Sequence, residues 1–428
     1  MTDINQKLFS FIKSAPTAYH AVDVTRARLD EAGFSRLDEA DEWTLSTGGA
    51  YYVTRGTSSL IAFKLPENNI RGGFMISAAH SDSPCFKVKD SPELFDGHMT
   101  RLSVEPYGGM LCSSWLDRPL GVAGRVAVRD GSRVYCRLVD TKKPCAVIPN
   151  VAIHMNRRAN DGVAYNSAVD MQPLFASSVS GDFKKLIADA AGVDASDIVS
   201  WDLSLYCAED ACEWGEYISA PRLDDLQCAF AALEAFLTSK ANSSIPVYCL
   251  FDNEEVGSLT RQGADSTFLS DTLNGVCDAL RETPRRMFAR SFLASCDNAH
   301  ALHPNHAELS DKNHAVYMNG GVVIKYNANQ KYTSDGMSVA IFRTLCEMAG
   351  TASQLYANRA DIAGGSTLGN ISNAHVSLCS VDIGLAQLAM HSAYESAGRD
   401  DTEAMVRVLK ALFESTLVVR GDGDCIIE

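Results

Sequence analysis

Apolar residues along the chain recur at two spacings, one typical of helices and the other of strands. The first 35 residues predict two helical segments, residues 4–15, broken at Pro16, and residues 17–34, which carry an apolar stripe that stops at Gly33. Residues 50–65 form two alternating segments, which predict a hairpin at the edge of a sheet. Residues 72–80 then form a continuous apolar run, which is typical of a strand buried on both faces of a parallel sheet.

The pattern changes twice further along the chain. Between residues 91 and 215, short strand-like segments are separated by Gly, Pro and Ser turns. From residue 216 onwards, long helical patterns alternate with apolar strands, as expected of an α/β sheet covered by helices. The sequence therefore predicts a discontinuous α/β domain, residues 1–90 and 216–428, with an inserted β-rich domain at residues 91–215.

Composition narrows the class of protein. Hydrophobic residues make up 46% of the 428 residues, so a large core can be buried, while the net charge is −15 and basic residues form no run. An acidic surface of this kind argues against a nucleic-acid partner and against an anionic membrane surface. No apolar run approaches the roughly 18 residues that span a bilayer, and the first residues predict no secretory signal. The 13 cysteines are scattered singly, which is typical of reduced thiols and predicts a cytoplasmic protein.

Histidine and acidic residues follow three of the predicted α/β strands. They are His80 and Asp82, Glu254 and Glu255, and Asp297. Because ligands of α/β sheets bind beyond the carboxyl ends of the strands, these side chains are expected to converge on one crevice. His391 lies where a Met-containing apolar segment gives way to small polar residues.

These residue types indicate a divalent metal, because carboxylates packed together repel one another unless a cation neutralises them. Mixed nitrogen and oxygen ligands suit Zn²⁺, Mn²⁺ or Co²⁺ better than Ca²⁺, and more acids are present than one tetrahedral site uses. Local alternatives remain open on this evidence. The acids can close strand-end turns, and Asp224, Asp225 and Asp297 can act as caps or turn residues.

Several ordered motifs extend the picture over nearly the whole chain. They are SAAHSDSP (77–84), SAPRLDDLQ (219–227), DNEEVGS (252–258), SCDNAHALHPNH (295–306) and AMHSAYES (389–396). With these motifs the chain resembles the M18 metallopeptidases, the aspartyl aminopeptidase family, and its length resembles that of the compact bacterial members. The resemblance implies a sheet-centred metallopeptidase catalytic domain with an inserted dimerisation domain.

The resemblance also implies a centre of two divalent ions per subunit, with Zn²⁺ expected and Co²⁺ or Mn²⁺ as alternatives. The implied roles follow the matching positions: Asp224 bridges the ions, His80 and Asp297 bind one, Glu255 and His391 bind the other, Glu254 is the general base, and Asp82 orients His80. Adjacent side chains on a regular strand point to opposite faces. An irregular strand end is therefore expected to let Glu254 and Glu255 take different roles.

Substrate and assembly are implied in the same way. Members of the family remove N-terminal Asp or Glu from peptides, and Lys325, Tyr332 and Gly365 match positions that line the first pocket. His154 matches a histidine that a neighbouring subunit presents, so a homo-oligomer is expected, a tetrahedral dodecamer built from dimers. Without the resemblance, Lys325 is better explained as a solvent-facing lysine at a strand edge, and His154 as a structural histidine.

Three other functions remain as alternatives. The same chemistry could act on neutral, Leu-type N-terminal residues. A two-metal phosphoesterase would use the same ligand types, but Arg or Lys clamps for phosphate are absent beside the ligand strands. A non-enzymatic, metal-stabilised shell is the third.

Two further sets of histidines have no assigned role. His300, His303 and His306 could form a second metal site by composition, but Pro304 interrupts any helical face, so we interpret them as part of a structural loop. His20 matches the family without suggesting a function.

Overall fold

The computed structural model describes residues 3–177, 181–365 and 367–428. Ser366, within the glycine-rich segment 364–369 of the expected pocket, lies outside the described residues. The α-helices of the described residues are α1 (Asp3–Ser14), α2 (Ala18–Glu31), α3 (Asp182–Ala191), α4 (Leu223–Thr238), α5 (Phe268–Leu280), α6 (Pro284–Phe288), α7 (Gly336–Met348), α8 (Leu368–Ser372) and α9 (Asp401–Glu414).

The strands fall into three larger sheets and one terminal hairpin. They are β1 (Ser35–Arg36), β2 (Ala50–Arg55), β3 (Ser59–Lys64), β4 (Phe74–His80), β5 (Cys85–Phe95), β6 (Thr100–Tyr107), β7 (Leu120–Asp130), β8 (Arg133–Asp140), β9 (Ala146–Val147), β10 (Leu174–Phe175), β11 (Ile198–Cys207), β12 (Cys212–Trp214), β13 (Tyr217–Ala220), β14 (Ile245–Phe251), β15 (Phe292–Cys296), β16 (Ala299–His300), β17 (Val322–Tyr326), β18 (Ser353–Ala357), β19 (Cys379–Gly384), β20 (Ala386–Leu388), β21 (Glu395–Gly398), β22 (Leu417–Gly421) and β23 (Asp424–Ile427).

The largest sheet has nine strands in the order β1-β2-β3-β14-β4-β15-β19-β17-β18. Strands β14, β4, β15 and β19 run parallel to one another in its centre. The β2–β3 hairpin lies at one side of this sheet, with only the two-residue β1 outside it. The sequence-based prediction of a hairpin at a sheet edge is therefore confirmed.

Helices cover both faces of this sheet, which explains the continuous apolar runs of its central strands. In β4, Met75 and Ala79 pack in the cluster that contains α1, α2, α4, α7 and α9. The alternate residues Phe74, Ile76 and Ala78 pack in the cluster that contains α5, α6 and α8. Because successive side chains of a strand point to opposite faces, a strand covered on both sides must be apolar throughout.

The second sheet has seven strands in the order β11-β5-β6-β10-β9-β7-β8. Strand β11 pairs with both β5 and β7, so the sheet closes on itself and β8 is added outside the ring. It has its own core, in which Phe86, Trp115 and Phe183 are buried. These strands lie between residues 85 and 207. The exact division of the chain at residues 90 and 216 stays a proposal.

A small third sheet, in the order β12-β13-β21-β20-β16, lies beside the carboxyl end of the large sheet. The turn between its strands β20 and β21 carries His391. Within the described residues, no helix is both long and apolar enough to cross a membrane.

The packing around Phe236 gives a test of this fold. The fully buried ring lies 5.6 Å from the ring of Phe34, 6.0 Å from that of Tyr248 and 5.5 Å from that of Phe413. We expect Phe236→Ala to lower the free energy of unfolding by about 3–5 kcal/mol, because it removes buried contacts and leaves a cavity. Urea denaturation measures this loss.

Met348→Ala is the matched control, since this side chain is 55% exposed at the end of α7. Its effect should stay within about 0.5 kcal/mol. Equal losses in the two variants would contradict the packing of α4 between the sheet, α2 and α9.

Candidate metal centre

The carboxyl ends of three neighbouring parallel strands place the candidate residues together. His80 ends β4, Glu254 and Glu255 follow β14, and Asp297 follows β15. Because β14, β4 and β15 are adjacent and parallel, the segments that leave them meet at one edge of the sheet.

Two more segments bring Asp224 and His391 to the same edge. Asp224 lies at the start of α4, and His391 lies in the β20–β21 turn. His80 Nε2 is 3.5 Å from Asp224 Oδ1, whereas His391 Nε2 is 3.6 Å from Asp224 Oδ2 and 3.4 Å from Glu255 Oε2. Asp224 therefore presents one oxygen to each imidazole.

Potential ligand atoms form three overlapping groups whose members lie within 4.8 Å of one another. The groups are His80, Asp224, Asp225 and Asp297; His80, Glu254 and Glu255; and Asp224, Glu255 and His391. All five residues expected as metal ligands occur in these groups, together with Glu254 and with Asp225. The side chain of Asp225 makes no helix-capping hydrogen bond, and its Oδ2 accepts from the His80 backbone N–H at 3.1 Å.

The donor set fits a cation. Asp224 Oδ1, Asp225 Oδ1 and Glu255 Oε1 are buried and accept no hydrogen bond from any described residue. Burial raises the pKa of Glu255, and the nearby Asp224 raises it further. Burial also raises the pKa of Glu254 to about 8. Oxygens that are buried, unpaired and next to imidazole nitrogens suit a divalent metal, which would replace the missing partners and favour the ionised carboxylates.

Asp82 organises the turn that carries the two glutamates. Its Oδ1 accepts from the Glu254 N–H at 3.1 Å, and its Oδ2 accepts from the Glu255 N–H at 3.2 Å. Asn253, with φ of 64°, starts a single 3₁₀ turn at Glu254–Val256, so the strand alternation is broken where the two glutamates must diverge.

The link between Asp82 and His80 differs in detail from the expected one. His80 Nδ1 is 3.0 Å from the backbone carbonyl oxygen of Asp82 but 3.5 Å from its carboxylate Oδ1. The carbonyl is therefore the better-placed acceptor for the Nδ1–H, and it leaves Nε2 facing Asp224. The Asp82 carboxylate stays next to His80 and also accepts from the backbone of the glutamate turn.

Tyr107, at the end of β6, is a residue that the sequence did not single out. Its hydroxyl donates to Asp82 Oδ2 at 2.6 Å and accepts from Asn253 Nδ2 at 2.8 Å. The second sheet thus reaches the site through this side chain. Its place in the segment VEPYGG (104–109), which shares the resemblance to the M18 metallopeptidases, could have drawn attention to it.

A cavity of about 140 Å³ opens beside the metal-binding groups. Lys325 in β17 is 3% exposed, and its Nζ lies 3.3 Å from Asp297 Oδ2 and 5.6 Å from the centre of the Tyr332 ring. A solvent-facing lysine at a strand edge is therefore excluded. Tyr332 and Gly365 line the same cavity.

His300 lies in β16 and lines this cavity, which corrects its interpretation as part of a structural loop. Its ring lies edge-on to Tyr356 at 6.4 Å between ring centroids, and burial lowers its pKa. The neighbouring His303 and His306 are exposed and do not line the cavity. The useful signal was the position of His300 in the sequence, three residues after the strand-end Asp297.

His154 does not join the other residues within one subunit. It lies on an exposed turn, flanked by the exposed side chains of Val151, Ile153 and Met155. Apolar residues that point into solvent in a row are a common feature of protein interfaces.

Parallel strands whose carboxyl ends bring imidazole and carboxylate groups together beside a cavity are the arrangement expected of an α/β metalloenzyme. The family model described as Aminopeptidase I zinc metalloprotease (M18) matches residues 11–413. The chain belongs to this family of zinc aminopeptidases, and it is therefore a metallo-exopeptidase.

Relatives and solved structures agree with this assignment. A Pseudomonas aeruginosa (strain PAO1) protein named "Probable M18 family aminopeptidase 2" is 41% identical over 425 residues, covering 97% of this chain and 99% of the relative. The structure "Cryo-EM structure of the Ape4 and Nbr1 complex" contains a chain that is 32% identical with a TM-score of 0.93, covering 96% of this chain and 85% of that one. The "mApe1 dodecamer" of S. cerevisiae is 28% identical with a TM-score of 0.84, and the match covers 96% of both chains. These matches confirm the α/β metallopeptidase fold.

Removal of metal should expose the repulsion within the site. In chelated protein we expect Glu255→Gln to raise the free energy of unfolding by about 1–3 kcal/mol, because the change removes a buried, unpaired carboxylate oxygen next to Asp224. The same change should reduce the stabilisation produced by added Zn²⁺, because a ligand that binds only the folded state stabilises it more when it binds more tightly. Thermal and urea denaturation with and without Zn²⁺ measure both effects.

The exposed Glu282→Gln is the control and should change neither quantity. A chelated Glu255→Gln variant less stable than the chelated wild type would show that this carboxylate is well accommodated without a cation.

Proposed function

We propose that this aminopeptidase uses two divalent ions per subunit, most simply Zn²⁺, to release N-terminal Asp or Glu from peptides. The observation that carries the acidic preference is the buried ammonium group of Lys325 inside the cavity next to the metal-binding groups. Lys325 already faces Asp297, but Asp297 is also a proposed metal ligand. A fixed cation that is removed from water favours a substrate carboxylate, which would give it a further anionic partner, over an apolar side chain, which would not.

The geometry supports two subsites that share Asp224. His80 and Asp297 would complete one subsite, and Glu255 and His391 would complete the other. When bound, the ions supply Lewis-acid polarisation of the scissile carbonyl and lower the pKa of the attacking water.

Glu254 is the proposed general base. It lines the cavity, and the Asp82 carboxylate accepts a hydrogen bond from its backbone N–H. The turn therefore fixes the position of the Glu254 backbone relative to the cavity. Its carboxylate would take the proton of the attacking water and return it to the departing amine, the exchange expected of a general acid–base catalyst. Burial raises the pKa of Glu254, which makes the carboxylate a stronger base than an exposed glutamate.

The first pocket would be formed by Lys325, Tyr332 and Gly365. The Asp382 carboxylate lies behind them, accepting from the Thr333 N–H and from Thr367 Oγ1. It thereby connects the segment after Tyr332 to the segment after Gly365. This arrangement supports a pocket of fixed shape.

We also propose a homo-oligomer, built from dimers into a tetrahedral dodecamer, in which His154 enters the active site of a partner subunit. The row of exposed apolar side chains beside His154 supports a contact with another copy. Structures similar to this chain include one described as a dodecamer.

Release of single residues from matched short peptides tests the proposal. Peptides that begin with Asp, Glu, Leu or Lys are assayed with enzyme as purified, after chelation, and after addition of Zn²⁺, Mn²⁺ or Co²⁺. We expect chelator-sensitive release of Asp and Glu. Lys325→Met should lower kcat/KM for these peptides by about 100-fold or more, the loss typical of a missing charged partner, with little change for Leu peptides.

Lys331→Met is the matched control, because Lys331 is an exposed lysine six residues away. Metal-dependent release of Leu by the wild type, unaffected by Lys325→Met, would keep the metal centre and overturn the acidic pocket. No release from folded, metal-loaded protein would overturn the proposed function.

Mixed oligomers test the delivery of His154 in trans. Glu254→Gln and His154→Ala should each abolish activity when all subunits carry the change. Heterodimers of the two variants should hold one intact site, so random mixing should restore about a quarter of wild-type activity for an isologous dimer. No recovery after verified subunit exchange would mean that His154 does not act in a partner's site.

A further inference from the structure

We infer that Glu395 is a positioning residue that sets the metal affinity of the subsite formed by Asp224, Glu255 and His391. Glu395 is the first residue of β21 and is 2% exposed. The inference rests on the proposed two-metal centre and assigns a role to a carboxylate that is not among the ligands.

Glu395 holds the backbone of two proposed ligands at once. Its Oε2 accepts from the Asp224 N–H at 3.0 Å, and its Oε1 accepts from the His391 N–H at 2.8 Å. A weaker contact of 3.5 Å joins Oε1 to Gln387 Nε2. One carboxylate therefore ties the start of α4 to the β20–β21 turn, two segments that are far apart in the chain.

The His391 turn needs such a support. His391 has φ of 66° and Ala389 has φ of 57°, a region that residues with a Cβ rarely adopt. Such conformations persist when surrounding contacts fix them, and they concentrate at functional sites. The N–H of His391 is fixed by Glu395, and its carbonyl oxygen accepts from the Leu111 N–H at 3.0 Å.

The His391 side chain is oriented by the same turn. Its Nδ1 contacts the Gly109 carbonyl oxygen, which leaves Nε2 facing Asp224 and Glu255. Loss of the Glu395 contact would release the backbone on which this orientation depends.

The other proposed subsite has separate supports. The His80 backbone N–H donates to Asp225, and His80 Nδ1 faces the Asp82 carbonyl. The hydrogen bonds described for the Glu395 side chain reach neither His80 nor Asp297. Asp224 is shared by both proposed subsites, but only the subsite of Glu255 and His391 also depends on the His391 backbone that Glu395 holds. A change at Glu395 should therefore weaken the ion at that subsite more than the other.

Glu395→Gln tests this role with almost no change in shape. The amide oxygen can still accept a hydrogen bond from one of the two backbone N–H groups. The amide NH₂ then faces the other N–H, and because it is only a donor it cannot accept a hydrogen bond there. Metal-free protein is titrated with Zn²⁺ and with Co²⁺, by calorimetry with a competing chelator and by the Co²⁺ absorption at each equivalent added. We expect wild-type protein to bind two ions and the variant to bind one of them about 10–100-fold more weakly, the usual effect of losing an outer contact to a ligand.

Activity provides a second readout. Excess free metal should restore kcat of the Glu395→Gln variant without changing KM for the peptide, because the substrate pocket is untouched. A merely structural role would instead lower stability and weaken both ions together.

Controls separate folding from positioning. Glu403→Gln, an exposed glutamate in the first turn of α9, should leave both affinities unchanged. Ser114→Ala removes a different support of the same turn, since Ser114 Oγ accepts from the Ala393 N–H at 2.9 Å. It should weaken the same ion by a smaller factor, whereas the exposed Ser113→Ala should not.

The outcomes distinguish this inference from the proposed function. Wild-type protein that binds two ions, with Glu395→Gln and Ser114→Ala binding both as tightly, would overturn the role of Glu395 and keep the two-metal centre. Equal weakening of both ions would also overturn it. Wild-type protein that binds fewer than two ions would overturn the centre itself, and the inference with it.

Discussion

The arrangement of this enzyme depends on the electrostatic cost of burying carboxylates against one another. Asp224, Asp225, Glu255 and Asp297 are all buried or nearly so, and burial is the main cause that would raise their pKa values. For Asp224 burial alone would raise the pKa, but His80 above all, together with His391 and Lys325, outweighs burial and lowers it. A cluster of this kind is tolerable in a folded protein only when cations and fixed hydrogen-bond donors compensate it. The supporting residues around the cluster can be understood as that compensation.

The compensation comes from backbone amides as much as from side chains. Asp82 accepts from the amides of Glu254 and Glu255, Asp225 accepts from that of His80, and the Glu395 carboxylate accepts from those of Asp224 and His391. These three acids lie outside the expected ligand set, and each fixes the backbone of at least one residue inside it. Fixing the backbone, rather than the side chains alone, allows short turns at strand ends to hold ligands to the accuracy that metal binding requires.

Much of the fold could be predicted from the sequence because its signals are local. The spacing of apolar side chains predicts the buried run 72–80, the edge hairpin and the βα alternation. The run 72–80 is apolar throughout because helices cover both faces of the sheet. The closure of the second sheet by the β11–β7 pair could not be predicted, since pairing between strands distant in the chain leaves no local pattern. The candidate residues were identified from residue type at strand ends and from motif resemblance.

What the sequence missed depends on contacts between distant segments. Examples are the hydrogen bond from Tyr107 to Asp82, the two amides held by Glu395 and the place of His300 in the cavity. Each brings together segments that are far apart in the sequence, so no local sequence pattern reveals it. The interpretation of His300 was wrong because the loop predicted from Pro304 was extended over the whole segment. His300 precedes this proline and belongs to a separate strand, β16. The expected link between the carboxylate of Asp82 and His80 differed because a backbone carbonyl, which every residue carries, was nearer.

The hydrogen bonds between residues 109–114 and the turn at 391–393 have a consequence for synthesis of the chain. The histidine of that turn is translated near the end of the chain, long after the strand that carries His80, and its orientation depends on a segment next to the second sheet. A nascent chain whose translation has not passed this turn lacks both a proposed metal ligand and the Glu395 carboxylate that holds the Asp224 N–H. The proposed metal centre is therefore expected to be complete only after residue 395 has been translated and the turn has packed against residues 109–114.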